Sequence, residues 1–195
     1  MTFVVDAQLP PALARILRNS GCDAYAPGSI ADSQSHVMAN LNALPGRLFE
    51  EFAEAANARD WILGKLPHDR PSRVLHGDLL PQNLLFADRD NRQAVLLDWE
   101  CARIGDPAYD LAIVTRGIRK PLGVPNGLHR LVQFYNEVAE HKISPSAVAV
   151  HEALLHLNWL AEAAEARARN DFGGHGPEHY ADLLGGILRR ARAGQ

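Results

Sequence analysis

Asp78, Asn83 and Asp98 are the residues whose types and spacing point most directly to chemistry. They fall in His76-Gly77-Asp78-Leu79-Leu80-Pro81-Gln82-Asn83 and in Leu97-Asp98-Trp99-Glu100. An acid is thus followed five residues later by an amide, then by a second acid at the end of the next hairpin. Phosphoryl transfer asks for such a set. One carboxylate stands beside the attacking hydroxyl and accepts its proton, while an amide oxygen and another carboxylate hold the magnesium that neutralises phosphate charge. Hard oxygen donors suit that ion, and a loop at strand ends lets them converge on rigid supports.

The elements that must position these groups follow from the surrounding pattern. RVLHG, LLFA and AVLLDW read as short strands separated by a loop and a turn. Upstream, Leu48, Phe49, Phe52, Ala56, Trp61, Ile62 and Leu66 have the spacing of an amphipathic helix, with a break expected near Asn57. Residues 32–45 are polar and only weakly helical in pattern. Downstream, Asp106-Pro107 is a good helix start. Beyond it apolar residues recur at three- and four-residue intervals, in segments parted by Pro121, Pro125, Pro145 and Gly173-Gly174. At the N-terminus, residues 2–6 read as a strand ending in Asp6, Leu13, Ile16 and Leu17 share a helical face, and a second short strand follows near Asp23-Ala24-Tyr25-Ala26. The expected fold class is α+β and mainly helical: a helical lobe with a small β patch at its active edge, preceded by a short βαβ-like fragment.

HGDLLPQN resembles the catalytic loop of the aminoglycoside phosphotransferase family, kinase-like enzymes distantly related to protein kinases, whose own loop reads H-R-D-x-x-x-x-N. LLDWE is similar to the family's metal-binding segment, and GDPAYDLA at 105–112 to the helix start just downstream. The resemblance spans roughly residues 40–190 and implies a protein-kinase-like C-terminal lobe. It implies that Asp78 is the catalytic base, that Asn83 and Asp98 are magnesium ligands, and that ATP is the phosphate donor to a hydroxyl of a small molecule. It further implies that His76 packs beneath the loop and that Asp110 is a buried acid bonded to the loop backbone; such a charge left unpaired would cost about 3–5 kcal/mol. Trp99 and Glu100 are expected to orient Asp98. Glu152, Glu162 and Glu165 read as a solvated helix face rather than a wall for a cationic acceptor.

FVVDAQLPPALARILRNSGCDAY is similar to the opening of PIN-like toxin nuclease domains, in which Asp6 would be the first metal-binding acid. The division expected is therefore 1–33, a PIN-like fragment, and 34–195, the kinase-type lobe. No counterpart of the lobe that grips ATP in kinase-like folds is expected within these 195 residues, which hold no Gly-rich phosphate loop and only the lysines Lys65, Lys120 and Lys142. Two rival expectations follow, a lobe that folds and binds without turnover, and a nuclease or toxin-related role through Asp6.

Composition excludes other classes. Among 195 residues, 47% are apolar and 22% charged, with net charge −3 and no run of like charges, so neither nucleic acid nor an anionic membrane is an expected partner. No window offers the roughly 20 apolar residues that span a bilayer. Cys22 and Cys101 match no metal or redox spacing and read as free thiols of a cytoplasmic protein. The histidines of HEALLH, His151 and His156, lie five residues apart and so about 140° apart around a helix, which rules out a zinc-protease pair. His175 and His179 straddle a Gly-Pro turn, and Arg189, Arg190 and Arg192 read as a solvated helix end.

Overall fold

The computed structural model describes residues 33–66, 73–86, 94–115, 123–171 and 173–193. Of the fragment expected at 1–33, residues 1–32, with Asp6 and Cys22, lie outside them, as does Lys120. The described chain is mainly helical. Helices α1 (Ser33–Ala43), α2 (Gly46–Glu51) and α3 (Ala53–Leu63) lead into strand β1 (Arg73–Leu75). A 3-10 turn at Pro81–Asn83 opens β2 (Leu84–Phe86), which is followed by β3 (Ala94–Leu96), a 3-10 turn at Trp99–Cys101 and β4 (Arg103–Gly105). Helices α4 (Ala108–Thr115), α5 (Gly127–Val138), α6 (Pro145–Ala168) and α7 (Pro177–Ala193) complete it.

Helix α6 is the central pillar because nearly every face of its first two-thirds is apolar or small. A helix apolar all round has to be surrounded. One side packs against α1, α3 and α7 through Val37, Ala58, Ile62, Leu157, Leu160 and Leu184, all 0% exposed. The other packs against α4 and α5 through Val148 with Leu111, Ala112 and Val132. Its start is well specified: Ser144 accepts a bond from the Ala147 amide at 3.1 Å, and Pro145 occupies the first turn. Its end is set by Asn170, which turns the chain left-handed at φ 56°, not by the Gly173-Gly174 pair.

Two other boundaries differ from the sequence pattern. The helix across 46–63 breaks at Phe52, whose backbone is extended at φ −120°, while Asn57 stays helical and exposed. No Pro or Gly marks the spot; tertiary burial of the Phe52 ring, 8% exposed, decides it. Strand β4 was not expected at all. It exists because Arg73–Leu75 needs a pairing partner, and residues 103–105 supply it in antiparallel register. No described helix is long and apolar enough to cross a membrane.

Candidate active site

Two short antiparallel ladders bring the motif residues to one edge. In the first, Leu75 pairs with Arg103, so the chain leaving β1 as His76-Gly77-Asp78 runs beside residues 101–102. In the second, Leu84 pairs with Leu96, and the Leu97 amide donates to the Asn83 carbonyl at 2.9 Å. Asn83 therefore lies opposite Leu97, one residue from Asp98. Register converts a fifteen-residue separation in sequence into adjacency.

Local hydrogen bonds then fix the loop. The Asn83 side-chain NH2 donates to the Asp78 carbonyl at 2.9 Å and to its carboxylate Oδ2 at 3.2 Å. The Asn83 amide oxygen takes no part in those two bonds. Nε2 of His76 bonds the Leu97 carbonyl at 2.7 Å, while Nδ1 accepts from the Asp78 amide at 3.3 Å. These contacts assign the tautomer with the proton on Nε2. The imidazole, 2% exposed, thus ties the loop to the strand that delivers Asp98. Trp99 leans on the same ring, centroids 4.8 Å apart, and its indole NH donates to the Leu96 carbonyl at 3.0 Å.

Asp110 sits beneath. Its two carboxylate oxygens accept from the backbone amides of His76 at 2.7 Å and Gly77 at 2.9 Å. Burial pushes its pKa up, and the two amide bonds pull the other way. Gly77 is at φ 81°, and a Cβ there would stand 2.0 Å from the Cys101 carbonyl oxygen, so only glycine lets the two segments touch.

Asp98 is exposed and left-handed, φ 61° and ψ 64°. Such a conformation in a non-glycine residue is strain that functional sites tend to hold. Asp78 and Asp98 converge near Cys101: burial first, then the charges of Glu100, Asp78 and Asp98, raise that exposed free thiol's pKa. Among the described residues no three His, Cys, Asp or Glu side chains close around a cation by themselves. Carboxylate oxygens with a spare amide oxygen still suit magnesium, which keeps water and takes phosphate oxygens as further ligands. Beside the acids, Leu85 and Val95 pair across the hairpin and stand 53% and 48% exposed.

Behind the loop lies a polar cluster that residue spacing does not reveal, although its Asp106 and Tyr109 belong to GDPAYDLA. Asp106 Oδ1 accepts from the Ala108 amide at 3.0 Å, capping α4, and its Oδ2 is 3.3 Å from Nε2 of His151. The Arg103 guanidinium lies 3.8 Å over the Tyr109 ring, whose hydroxyl pKa is raised chiefly by burial. The His36 pKa is lowered, first by burial and then by Arg103 and His151. The sequence signals were GDPAYDLA at 105–112 and a histidine in an otherwise apolar helix.

Elsewhere the readings separate. Glu152 is a correction: it is 3% exposed and paired with Arg190 at 3.2 Å, facing α7 rather than solvent. Arg190 itself stays exposed at the helix end while making that pair. Glu162 is exposed and Glu165 half-buried beside Arg169. His151 and His156 are both buried but separately engaged, His156 through Nδ1 to the Glu152 carbonyl at 2.8 Å. His175 and His179 stack with ring centroids 4.0 Å apart, and His175 lines a cleft of about 610 Å³ between α6 and α7 together with Trp159 and Tyr180.

A profile of the phosphotransferase enzyme family matches residues 31–145. Viomycin phosphotransferase of Streptomyces vinaceus is 33% identical over 102 residues, 43% of this chain and 35% of that protein. Human acyl-CoA dehydrogenase family member 11 is 37% identical over 54 residues, 27% of this chain and 7% of that protein. Among solved structures, choline kinase LicA from Streptococcus pneumoniae superposes with TM-score 0.53 at 20% identity, covering 91% of this chain and 62% of that one. LicA in complex with AMP gives TM-score 0.54 at 17% identity, with 93% and 62% covered. At such identities the structures show the fold, that of a kinase-like C-terminal lobe. The chain spans only 7% to 35% of these curated relatives.

Proposed function

Because this chain belongs to the phosphotransferase enzyme family, we propose that it transfers the γ-phosphate of ATP to a hydroxyl of a small molecule at the edge formed by Asp78, Asn83 and Asp98. The observation that carries the reading is the bond pair from Asn83 to the Asp78 carbonyl and carboxylate. It holds the acid in place as a proton acceptor and turns the amide oxygen toward a metal. Asp98 and the Asn83 oxygen would hold magnesium, which supplies charge neutralisation on the phosphates. Asp78 accepts the proton of the attacking hydroxyl, and His76 and Asp110 keep its backbone still. The open apolar pair Leu85 and Val95 offers a surface on which a planar base can lie. A relative solved with AMP supports a nucleotide as the ligand.

Asp98→Gly tests this without confusing lost function with lost folding. A left-handed L-residue costs about 1–2 kcal/mol that glycine does not, so the variant is expected to melt a few degrees higher than wild type. Calorimetry at millimolar ATP and magnesium should show magnesium-dependent binding by wild type and none by the variant. No magnesium-dependent heat from the wild type would end the reading.

A second reading is binding without turnover: of the lysines among the described residues, Lys142 is engaged by the carbonyls of Asn136 and Ala139 and Lys65 lies just past the end of α3. Release of labelled phosphate to a panel of hydroxyl acceptors separates the two, since only the first predicts it. The nuclease reading through Asp6 is tested by metal-dependent RNA cleavage compared with Asp6→Ala.

A further inference from the structure

We infer that His151 is a positioning residue for the catalytic loop, acting through Asp106 and helix α4; the inference rests on the proposed phosphotransfer for its kinetic arm only. The chain of contacts is short. His151 Nε2 stands 3.3 Å from Asp106 Oδ2, with both side chains almost fully buried. The other oxygen of Asp106 caps the first turn of α4 at the Ala108 amide. One turn later on the same helix, Asp110 holds the amides of His76 and Gly77, the two residues that lead into Asp78. An Asp106 gripped from the α6 side sets where α4 begins, and so where the Asp110 carboxylate stands under the loop.

Packing alone does not account for the imidazole. His151 is 1% exposed, and its Nδ1 has no hydrogen-bond partner, a state that costs stability. Its ring meets Tyr109 edge-on at 6.1 Å, a contact that phenylalanine would keep. The Nε2–Asp106 approach is an electrostatic contact rather than an aligned hydrogen bond. What histidine adds over a benzene ring is thus the polar Nε2 directed at Asp106. Sub-ångström placement of a catalytic group is the kind of property such a contact controls.

The test compares His151→Phe, which retains ring volume, with His151→Gln, which retains a nitrogen donor near the Nε2 position. Amide hydrogen exchange at His76 and Gly77 is read first, because it is independent of turnover. His151→Phe should speed exchange at both amides by about tenfold or more, while amides of α7 hold their wild-type rates. His151→Gln should restore slow exchange. Where turnover is measurable, His151→Phe should lower kcat with KM for ATP unchanged, and His151→Gln should recover most of it. Unchanged exchange at His76 and Gly77 in His151→Phe overturns the inference, as does failure of His151→Gln to restore it. A wild type without phosphotransfer would sink the proposed function yet leave the exchange result to decide this one.

Discussion

Gly77→Ala is expected to lower the melting temperature by about 10 °C and to abolish the magnesium-dependent nucleotide binding proposed above. Two costs add. The left-handed backbone at φ 81° disfavours any L-side chain by about 1–2 kcal/mol. The new Cβ would also fall 2.0 Å from the Cys101 carbonyl oxygen and 2.7 Å from its carbon. Both obstacles are backbone, so neither can swing aside. The segment carrying Cys101 would have to move away from the loop, carrying with it the turn that follows Asp98. A total of about 4 kcal/mol or more places the change in the exceptional class. Gly123→Ala is the control: its φ is also positive, 66°, but nothing lies within 4 Å of a Cβ there. It should cost only the backbone share. Equal melting shifts for the two variants would show that the Gly77–Cys101 contact is not tight.

Asp110→Asn is the second large effect. A carboxylate offers two acceptor oxygens, and both are taken by backbone amides at 2.7 and 2.9 Å. Asparagine offers one oxygen and one NH2, so whichever way it turns, a donor faces a donor. Losing one of the two bonds and leaving a buried N–H unsatisfied together cost about 2–4 kcal/mol, read as a drop in urea midpoint with unchanged slope. Asp110→Ala should cost a similar amount. A midpoint within error of wild type for both would remove Asp110 as the support of the loop.

The same residue carries a pH signature. Its folded pKa is raised above the ordinary 3.8, with burial the leading cause. The folded state therefore holds this proton more tightly than the unfolded state does. The resulting stabilisation is complete below pH 3.8 and is lost as pH rises through the folded pKa. The stability difference between wild type and Asp110→Ala should accordingly be widest in acid and narrow toward neutrality. A difference that widens with pH would mean that the two amide bonds outweigh burial and hold the carboxylate ionised.

Much of the edge was legible in the sequence because its chemistry is local. Asp78 and Asn83 lie in one loop, and the bond between them spans five residues. The helix start at Asp106-Pro107 was legible for the same reason, since capping is decided within three residues. Phe52 shows the opposite case. Nothing near it in sequence breaks a helix, and only the core beneath the ring, together with Arg167 at 5.7 Å over it, explains the extended residue. Glu152 failed for a related reason: helical spacing placed it among exposed acids, but α7 covers that face and brings Arg190 to it.

By itself the sequence determined the family and the mainly helical α+β class, and it singled out Asp78, Asn83 and Asp98 as candidate oxygen donors, because residue identity and short-range spacing carry those. Tertiary structure decided how the donors are held. The pairing of β1 with β4 makes Gly77 touch Cys101, the β2–β3 register sets Asn83 opposite Leu97, and the fold of α4 beneath the loop aims Asp110 at two amides. It also decided that His151 meets Asp106, forty-five residues away. These are contacts between segments remote in sequence. Their geometry is set by packing around α6, which no local pattern encodes.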